Sequence, residues 1–345
     1  MTGGSMPKEA MLPNLFIVGA PKCGTTSLHE YLASHPDVFM SPSKELYYFC
    51  PDLRTLPWIA KESEYIHHFR PGCGKRWVGE SSPLYLTSQV AAEKLAQFNP
   101  SARIIILIRE PIEMMQALYG QYLYDCIPCD TDFERELRSQ EVGSRRLNPH
   151  VAPDCVRIPR FMEVADYVTQ IRRFRAHFPA EQIKVILFED FVRNTEAVYA
   201  DLLGWLGLPV PAEARFAKQG SRRNYVHPWL IRTVRMMTPI TQVIRRVFPR
   251  GTECIRDFVL RKGTRTLSRL DPDQHARLQA EFFPDFSELE SLIGRSLTHW
   301  RMDGAVERPS GSARFSRSSA GPAAPADVVL TQAMPSRVPV RTPRP

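Results

Sequence analysis

Short apolar segments alternate with segments of helical spacing over the first two thirds of the chain. Arg103–Ile108 is almost wholly apolar and β-branched, which is typical of a central strand covered on both faces. The pattern predicts strands at Leu15–Gly19, Arg76–Gly79, Arg103–Ile108 and Lys184–Phe188, and helices at Thr25–Ser34, Ser88–Phe98, Pro111–Tyr124, Met162–Phe178 and Glu196–Leu206. This alternation predicts an α/β fold with a parallel sheet flanked by helices on both faces.

The remaining segments differ in composition. Asp125–Asp154 is polar and irregular, which predicts a long loop or insertion, and His227–Trp300 is predicted to be mostly helical. After Arg301 the chain is rich in Pro, Ser, Ala and Arg, a composition typical of disorder. We therefore expect a flexible lead-in at residues 1–13, a single domain at 14–302 with a helical C-terminal third, and a disordered tail at 303–345.

Composition narrows the class of protein. With 345 residues, 43% hydrophobic and 24% charged, the chain resembles a soluble globular protein that can bury a large core. Its longest apolar runs are far shorter than the ~20 residues that a membrane-spanning helix needs. The seven cysteines are odd in number and widely spaced, and no charged-then-apolar leader precedes the first strand, which predicts a reducing, cytoplasmic location. Cys126 and Cys129 form a CxxC without a second pair, which disfavours a zinc or redox site.

Positive charge is concentrated in one segment. The formal net charge is +8, yet residues 217–269 contain thirteen Lys and Arg against two acidic residues. Such a segment attracts phosphates, sulfates, acidic glycans or anionic lipid, or is simply a solvated basic surface. It lacks the interleaved aromatics that stack on bases, so nucleic-acid binding is disfavoured. Arg232–Arg250 could lie on a membrane surface, but Pro239 interrupts it and core packing of its apolar residues is favoured.

The strongest local signal is a glycine- and hydroxyl-rich loop between the first strand and the first helix. It reads Gly19-Ala-Pro-Lys-Cys-Gly-Thr-Thr-Ser-Leu28. Main-chain amides at a helix start favour an anion, and Gly24 lets the backbone approach a phosphate closely. A Walker A loop would carry its lysine directly after this glycine, where Thr25 stands. The loop therefore predicts a phosphate site but disfavours a magnesium-dependent nucleoside triphosphatase.

This loop resembles the 5′-phosphosulfate loop of sulfotransferases that use 3′-phosphoadenosine 5′-phosphosulfate (PAPS), and further motifs follow in the order of that family. They are Lys44–Phe49, Gly79–Leu86, Asn99–Pro111, Phe188–Phe191, Leu203–Leu208 and Phe283–Trp300. Each motif alone is weak, but their order and spacing are specific to bacterial relatives of heparan sulfate and carbohydrate sulfotransferases. The resemblance implies a P-loop-like sheet and transfer of a sulfuryl group to a hydroxyl or amine of a small-molecule, glycan or lipid acceptor.

The resemblance also implies roles for individual residues. Glu45 would be the general base, Lys22 would stabilise the leaving phosphate, and Arg109 would hold the 3′-phosphate. The other implied donor contacts are Cys23, Gly24, Thr25, Thr26, Ser27, Lys262, Gly263 and Arg265. Acceptor contacts would come from Lys44, Tyr47, Ser81, Ser82 and Tyr85. PAPS would be the donor and PAP (its desulfonated form) the product, with no metal required.

Three positions depart from the family pattern. The serine that follows the phosphate-binding arginine by eight residues is Ala117, which removes a contact worth about 1–2 kcal/mol. Tyr47 replaces the histidine of the Lys-Glu-x-His segment, and Ser81 replaces a lysine found in some glycan sulfotransferases. The identity of the acceptor, the choice between O- and N-sulfation and the oligomeric state cannot be read from the residues.

Two alternative functions stay open at this point. A divergent phosphotransferase would use Glu189 and Asp190, at the end of a predicted strand, to hold magnesium. A non-enzymatic nucleotide-binding or scaffold protein would explain Ala117 and Tyr47.

Among the residues near the loop, Cys23 is either a reactive thiol or, as favoured, a bystander. His29 and His35 are expected on a helix surface and in a turn.

Overall fold

The architecture is taken from a computed structural model. It describes residues 12–53, 59–124, 127, 129–130, 132–141, 158–211, 216, 225–226, 264–265 and 269–301. The strands are β1 (Leu15–Gly19), β2 (Val38–Met40), β3 (Trp77–Ser81), β4 (Arg103–Ile108), β5 (Ile183–Leu187), β6 (Tyr225–Val226) and β7 (Thr264–Arg265). The first five form a parallel sheet in the order β2-β3-β1-β4-β5, whereas β6 and β7 pair antiparallel.

Helices surround this sheet. They are α1 (Thr25–Ala33), α2 (Glu62–His67), α3 (Ala91–Phe98), α4 (Pro111–Tyr124), α5 (Phe133–Glu141), α6 (Phe161–Ala165), α7 (Tyr167–Arg175), α8 (Phe188–Arg193), α9 (Thr195–Leu206), α10 (Pro272–Phe282) and α11 (Ser287–Ile293). Every residue of β1 is buried, and so are five of the six in β4. Side chains on a strand alternate between faces, so this burial requires cover on both faces of the sheet. The predicted α/β fold is thus confirmed.

The predicted loop at Asp125–Asp154 is wrong in part, because it contains α5. This helix is short and mostly polar, so only two apolar residues, Phe133 and Leu137, mark it, and both pack into the core. Arg138 also joins α5 to α10 through an ion pair with Glu281.

One predicted helix is divided in two, and short elements such as β2 and α2 were not predicted. The single helix expected at Met162–Phe178 is two helices, because Asp166 interrupts it and its carboxylate accepts the Thr169 amide at 3.2 Å as the cap of α7. The three-residue strand β2 and the short helix α2 have too few residues for a periodic signal.

The C-terminal segment is helical where it is described. Helices α10 and α11 lie within the predicted helical third, and Trp300 is buried against Phe286 with ring centroids 5.5 Å apart. Residues 227–263, and residues 302–345 with the predicted tail, lie outside the described residues. The boundaries predicted for the domain, lead-in and tail stay predictions. In the described part of the chain, no helix has both the length and the apolarity needed to cross a membrane.

Candidate active site

The glycine- and hydroxyl-rich loop lies at the carboxyl end of the central strand. β1 ends at Gly19 and α1 starts at Thr25, with Gly24 in the left-handed region at φ 87°. A Cβ on Gly24 would lie 3.2 Å from the ring of Phe188. Both the backbone angle and this contact favour glycine here. The loop therefore presents main-chain amides at a helix start, as the sequence predicted.

Two lysines contact this part of the site. Lys22 Nζ donates to Gln121 Oε1 of α4 at 3.2 Å, and Lys44 Nζ donates to Thr26 Oγ1 at 2.6 Å. The second contact places Lys44 on the phosphate loop, although the sequence assigned it to the acceptor. Two ammonium groups next to a helix N-terminus form a strongly anion-attracting surface.

Arg109 extends this surface from the end of the neighbouring strand, β4. Its guanidinium lies over the Phe188 ring, 4.6 Å from the centroid, and donates from Nη2 to Glu113 Oε2 at 2.5 Å. Burial alone would raise the pKa of Glu113, but the charge of Arg109 holds this pKa below its ordinary value. Arg109 Nε is buried without a hydrogen-bond partner. An orphaned donor on a fixed cation is suited to an incoming anion.

Glu110 fixes the start of α4 behind Arg109. Its carboxylate accepts the amide of Glu113 at 2.7 Å and the side-chain amide of Gln279 at 3.0 Å. His275 Nε2 lies 3.0 Å from the same carboxylate. Helix α10 is thereby joined to the start of α4, directly after Arg109. Sequence reasoning missed Glu110, because its role depends on a partner more than 160 residues away.

Glu45 lies at the other side of the site, in the segment between β2 and α2. Its amide donates to the Ser81 carbonyl at 2.9 Å, and its half-exposed carboxylate accepts the Tyr47 hydroxyl at 2.9 Å. Burial, and then the charge of Glu45, raise the pKa of Tyr47 well above its usual range. The phenol therefore stays protonated at neutral pH and acts as a donor to Glu45.

A buried carboxylate, Glu80, organises the residues next to Glu45. It accepts the hydroxyls of Tyr65 at 2.6 Å, Ser82 at 2.6 Å and Tyr85 at 2.9 Å. Burial raises the pKa of Glu80, and the three donors act in the opposite direction. Ser81, Ser82 and Tyr85 are themselves fully buried. This burial argues against their predicted contact with an acceptor and gives Ser82 and Tyr85 a supporting role. The motif Gly79–Leu86 contains Glu80, but its residues alone do not show that Glu80 is the centre of this network.

Cys23 is a bystander in the loop rather than a reactive thiol. The side chain is fully buried, and Sγ donates to the Pro21 carbonyl at 3.3 Å. Burial raises the pKa of Cys23 to about 12, so the thiolate is not populated at neutral pH. Any contact of Cys23 with an anion would come from its main-chain amide.

His29 is buried on α1, so the predicted helix-surface position is wrong for its side chain. His35 lies in the turn between α1 and β2, as predicted, with its side chain buried. His35 is held by the Pro209 carbonyl, 2.9 Å from Nε2, and accepts the Asp37 amide at Nδ1. Burial, and then the nearby Lys44 charge, lower the pKa of His29 to about 4. A helix that packs against the sheet buries a full side-chain stripe, and His29 belongs to the buried stripe of α1.

The pKa of His29 predicts a pH dependence of stability. In the unfolded chain, His29 takes up a proton as the pH falls below its ordinary pKa of about 6.5. In the folded chain, His29 stays neutral until the pH falls to about 4. The contribution of His29 to the free energy of unfolding is therefore complete above about pH 6.5. As the pH falls towards 4, up to about 3 kcal/mol of it is lost. Urea unfolding of the wild type and of His29→Gln at pH 4.5 and 7.5 measures it. We expect a smaller difference between the two pH values in the variant, and equal differences would contradict this account.

Comparison with known proteins agrees with this geometry. The family described as "Sulfotransferase domain" matches residues 12–235, well over half of the chain. The chain belongs to the sulfotransferase family. A solved sulfotransferase from Alicyclobacillus acidocaldarius superposes with a TM-score of 0.59 at 28% identity, covering 84% of this chain and 99% of that one. The resemblance of the motifs to the sulfotransferase family, and the P-loop-like fold that it implies, are confirmed.

The curated relatives that this chain matches are longer proteins. Mouse carbohydrate sulfotransferase 15 is 23% identical over 294 residues, covering 69% of this chain and 51% of the relative. The membrane-associated sulfotransferase kil1 of Dictyostelium discoideum is 31% identical over 113 residues, which is 32% of this chain and 23% of the relative. The chain therefore spans about half or less of the length of these relatives.

Several predicted site residues lie outside the described part of the chain. Lys262 and Gly263 lie outside the described residues, and Arg265 is described only as a backbone position in β7, opposite Tyr225. Their contact with the donor stays a prediction. Cys126 lies outside the described residues as well, so the CxxC is not tested.

Proposed function

We propose that this chain transfers the sulfuryl group of PAPS to a hydroxyl or amine of an acceptor. The observation that supports this most directly is that Arg109 Nε is buried without a hydrogen-bond partner. The Phe188 ring under this guanidinium also lies against Gly24, in the loop that carries main-chain amides and two lysines. The donor carries a 5′-phosphosulfate and a 3′-phosphate, so it needs two separate anion sites. The loop at residues 19–27 fits the first site and Arg109 fits the second.

The proposed step divides the work between Glu45 and the cations. The acceptor oxygen forms a bond to sulfur while the bond from sulfur to the bridging oxygen breaks, and its electron pair stays on the phosphate. Glu45 takes the acceptor proton, and Lys22 stabilises the charge that develops on the bridging oxygen. Lys44, held on Thr26, adds positive charge to the same loop.

Ala117 defines how far the donor site departs from the family pattern. It is half-buried on α4, two turns after Glu110, and offers no hydroxyl to a phosphate. We propose that Arg109 holds the 3′-phosphate without this partner, at a cost of about 1–2 kcal/mol in donor binding.

We propose a carbohydrate hydroxyl as the first acceptor class to test. Relatives named as carbohydrate and heparan sulfate sulfotransferases support this choice. The basic composition of residues 217–269 would suit an anionic glycan. Small-molecule and lipid hydroxyls are the other arms of an acceptor screen, and the cytoplasmic location stays a prediction.

The phosphotransferase alternative loses its support in the structure. Its two magnesium ligands would be Glu189 and Asp190, but Glu189 accepts the Glu110 amide at 3.0 Å and Asp190 pairs with Arg295 at 2.7 Å. Both carboxylates hold elements of the fold together. Burial also raises the pKa of Glu189, which disfavours the charged form that a metal ion needs.

Calorimetric titration with PAP, ADP and ATP, each with and without magnesium, tests the proposal. We expect PAP to bind with the same affinity in both conditions and more tightly than ADP or ATP. Preference for ATP with magnesium would contradict the proposal. A second arm supplies ³⁵S-labelled PAPS with desulfated heparin, phenols or lipid hydroxyls. PAP binding without transfer to any acceptor would favour the scaffold alternative.

A further inference from the structure

Glu45 and Tyr47 share an unusual backbone conformation. Glu45 has φ 62° and Tyr47 has φ 52°, and neither is glycine. Residues with side chains adopt this left-handed region at a cost of about 1–3 kcal/mol unless the surroundings enforce it, and such positions cluster at functional sites. Two of them on either side of Leu46 give the segment one defined shape, and that shape returns the Tyr47 hydroxyl to the Glu45 carboxylate at 2.9 Å.

Hydrogen bonds from β3 and the residue after it enforce this shape. The Glu45 amide donates to the Ser81 carbonyl, and the Tyr47 amide donates to Ser82 Oγ at 3.2 Å. Ser82 Oγ in turn donates to Glu80, which is fully buried and also holds two tyrosine hydroxyls. The chain of hydrogen bonds therefore runs from a carboxylate in the core to the backbone of Tyr47.

We propose that Tyr47 is a positioning residue for Glu45, with its hydroxyl holding the carboxylate in the orientation that receives the acceptor proton and with Ser82 and Glu80 holding Tyr47 in place. This inference rests on the proposed function of Glu45 as the base. Tyr47 is 6% exposed and its hydroxyl is engaged with Glu45, so it acts through Glu45 and not as an acceptor contact. A carboxylate with one oxygen fixed presents the other to the acceptor, and a misplacement of 1 Å costs up to about 10²-fold in rate.

Tyr47→Phe tests the inference because it removes only the hydroxyl. We expect kcat for ³⁵S transfer from PAPS to fall about 10-fold or more, with KM for PAPS within about 2-fold of the wild type. Tyr48→Phe is the matched control, with the same atom removed one residue further on. Equal urea midpoints for the two variants would separate positioning from a loss of stability.

A double-mutant cycle tests whether Tyr47 acts through Glu45. In a Glu45→Gln background, Tyr47→Phe is expected to have little further effect on kcat. An equal fold-loss in both backgrounds would overturn the inference. So would a Tyr47→Phe enzyme with kcat within 2-fold of the wild type.

A crystal structure of Tyr47→Phe keeps the inference testable even if the proposed function fails. We expect the Glu45 carboxylate to leave its wild-type rotamer or to occupy more than one. An unchanged single rotamer overturns the positioning role. The proposed function fails separately, if wild-type protein does not bind PAP in the calorimeter, because that titration does not depend on Glu45.

Discussion

Arg109→Ala is expected to weaken PAP binding roughly 10²- to 10³-fold. The guanidinium is fixed by the Phe188 ring and by Glu113, and its Nε has no other partner. Charge-assisted hydrogen bonds to a phosphate contribute about 1.5–3 kcal/mol each, and two of them account for this loss. Calorimetric titration of the variant with PAP measures the effect directly.

Two controls sharpen this prediction. Arg172→Ala removes an exposed guanidinium that pairs with Glu288 on another part of the molecule, and PAP affinity should not change. Glu113→Gln removes the charge that competes for Arg109, and PAP affinity should stay the same or rise. If Arg109→Ala binds PAP as the wild type does, the 3′-phosphate lies elsewhere and the assignment of Arg109 is wrong.

Glu45→Gln is expected to lower kcat by roughly 10²- to 10⁴-fold, the usual contribution of a general base. Glutamine keeps the size of the side chain and still accepts the Tyr47 hydroxyl, but it does not take a proton at neutral pH. PAP affinity should stay within about 2-fold, because the proposed donor contacts lie on the loop and on Arg109. Transfer of ³⁵S from PAPS to the acceptor found in the screen gives kcat, and calorimetry gives the affinity.

The matched control for the base is Glu64→Gln, which removes an exposed carboxylate on α2. This variant should transfer sulfate at the wild-type rate. A Glu45→Gln enzyme with kcat within about 3-fold of the wild type would show that another group takes the proton. The role of Lys22 in stabilising the leaving phosphate does not depend on that result.

Much of the fold followed from local patterns. The strand, loop and helix from Leu15 to Ala33 are predicted within one residue, because apolar run, glycine loop and helical spacing follow each other directly. The bounds of β4 and α4 match the prediction, since a fully apolar strand and a proline at the first helical turn are strong local signals. Where the pattern is faint, as in the polar helix α5, the prediction fails.

The candidate site divides in the same way. Lys22, Gly24, Glu45 and Arg109 were assigned from motif and resemblance, and the structure brings them to the carboxyl edge of the sheet, as the parallel topology requires. Their supporting residues were not assigned. Glu80 and Glu110 lie within two of the motifs, but only the folded chain shows that each is buried among hydrogen-bond donors.

The sequence by itself determined the fold class, the phosphate loop and the family, because each depends on residues that are close together in the chain or in fixed order along it. The tertiary structure decided that Lys44 contacts Thr26, that Tyr47 holds Glu45, and that Ser82 and Tyr85 support Glu80. The contact of Lys44 with Thr26 joins segments that are 18 residues apart, and that of Tyr47 with Glu45 depends on a left-handed backbone. Glu80, Ser82 and Tyr85 are close in sequence, but only the folded chain shows that all three are buried together. A hydrogen bond requires its two atoms about 3 Å apart, and packing of the sheet and its loops sets that distance.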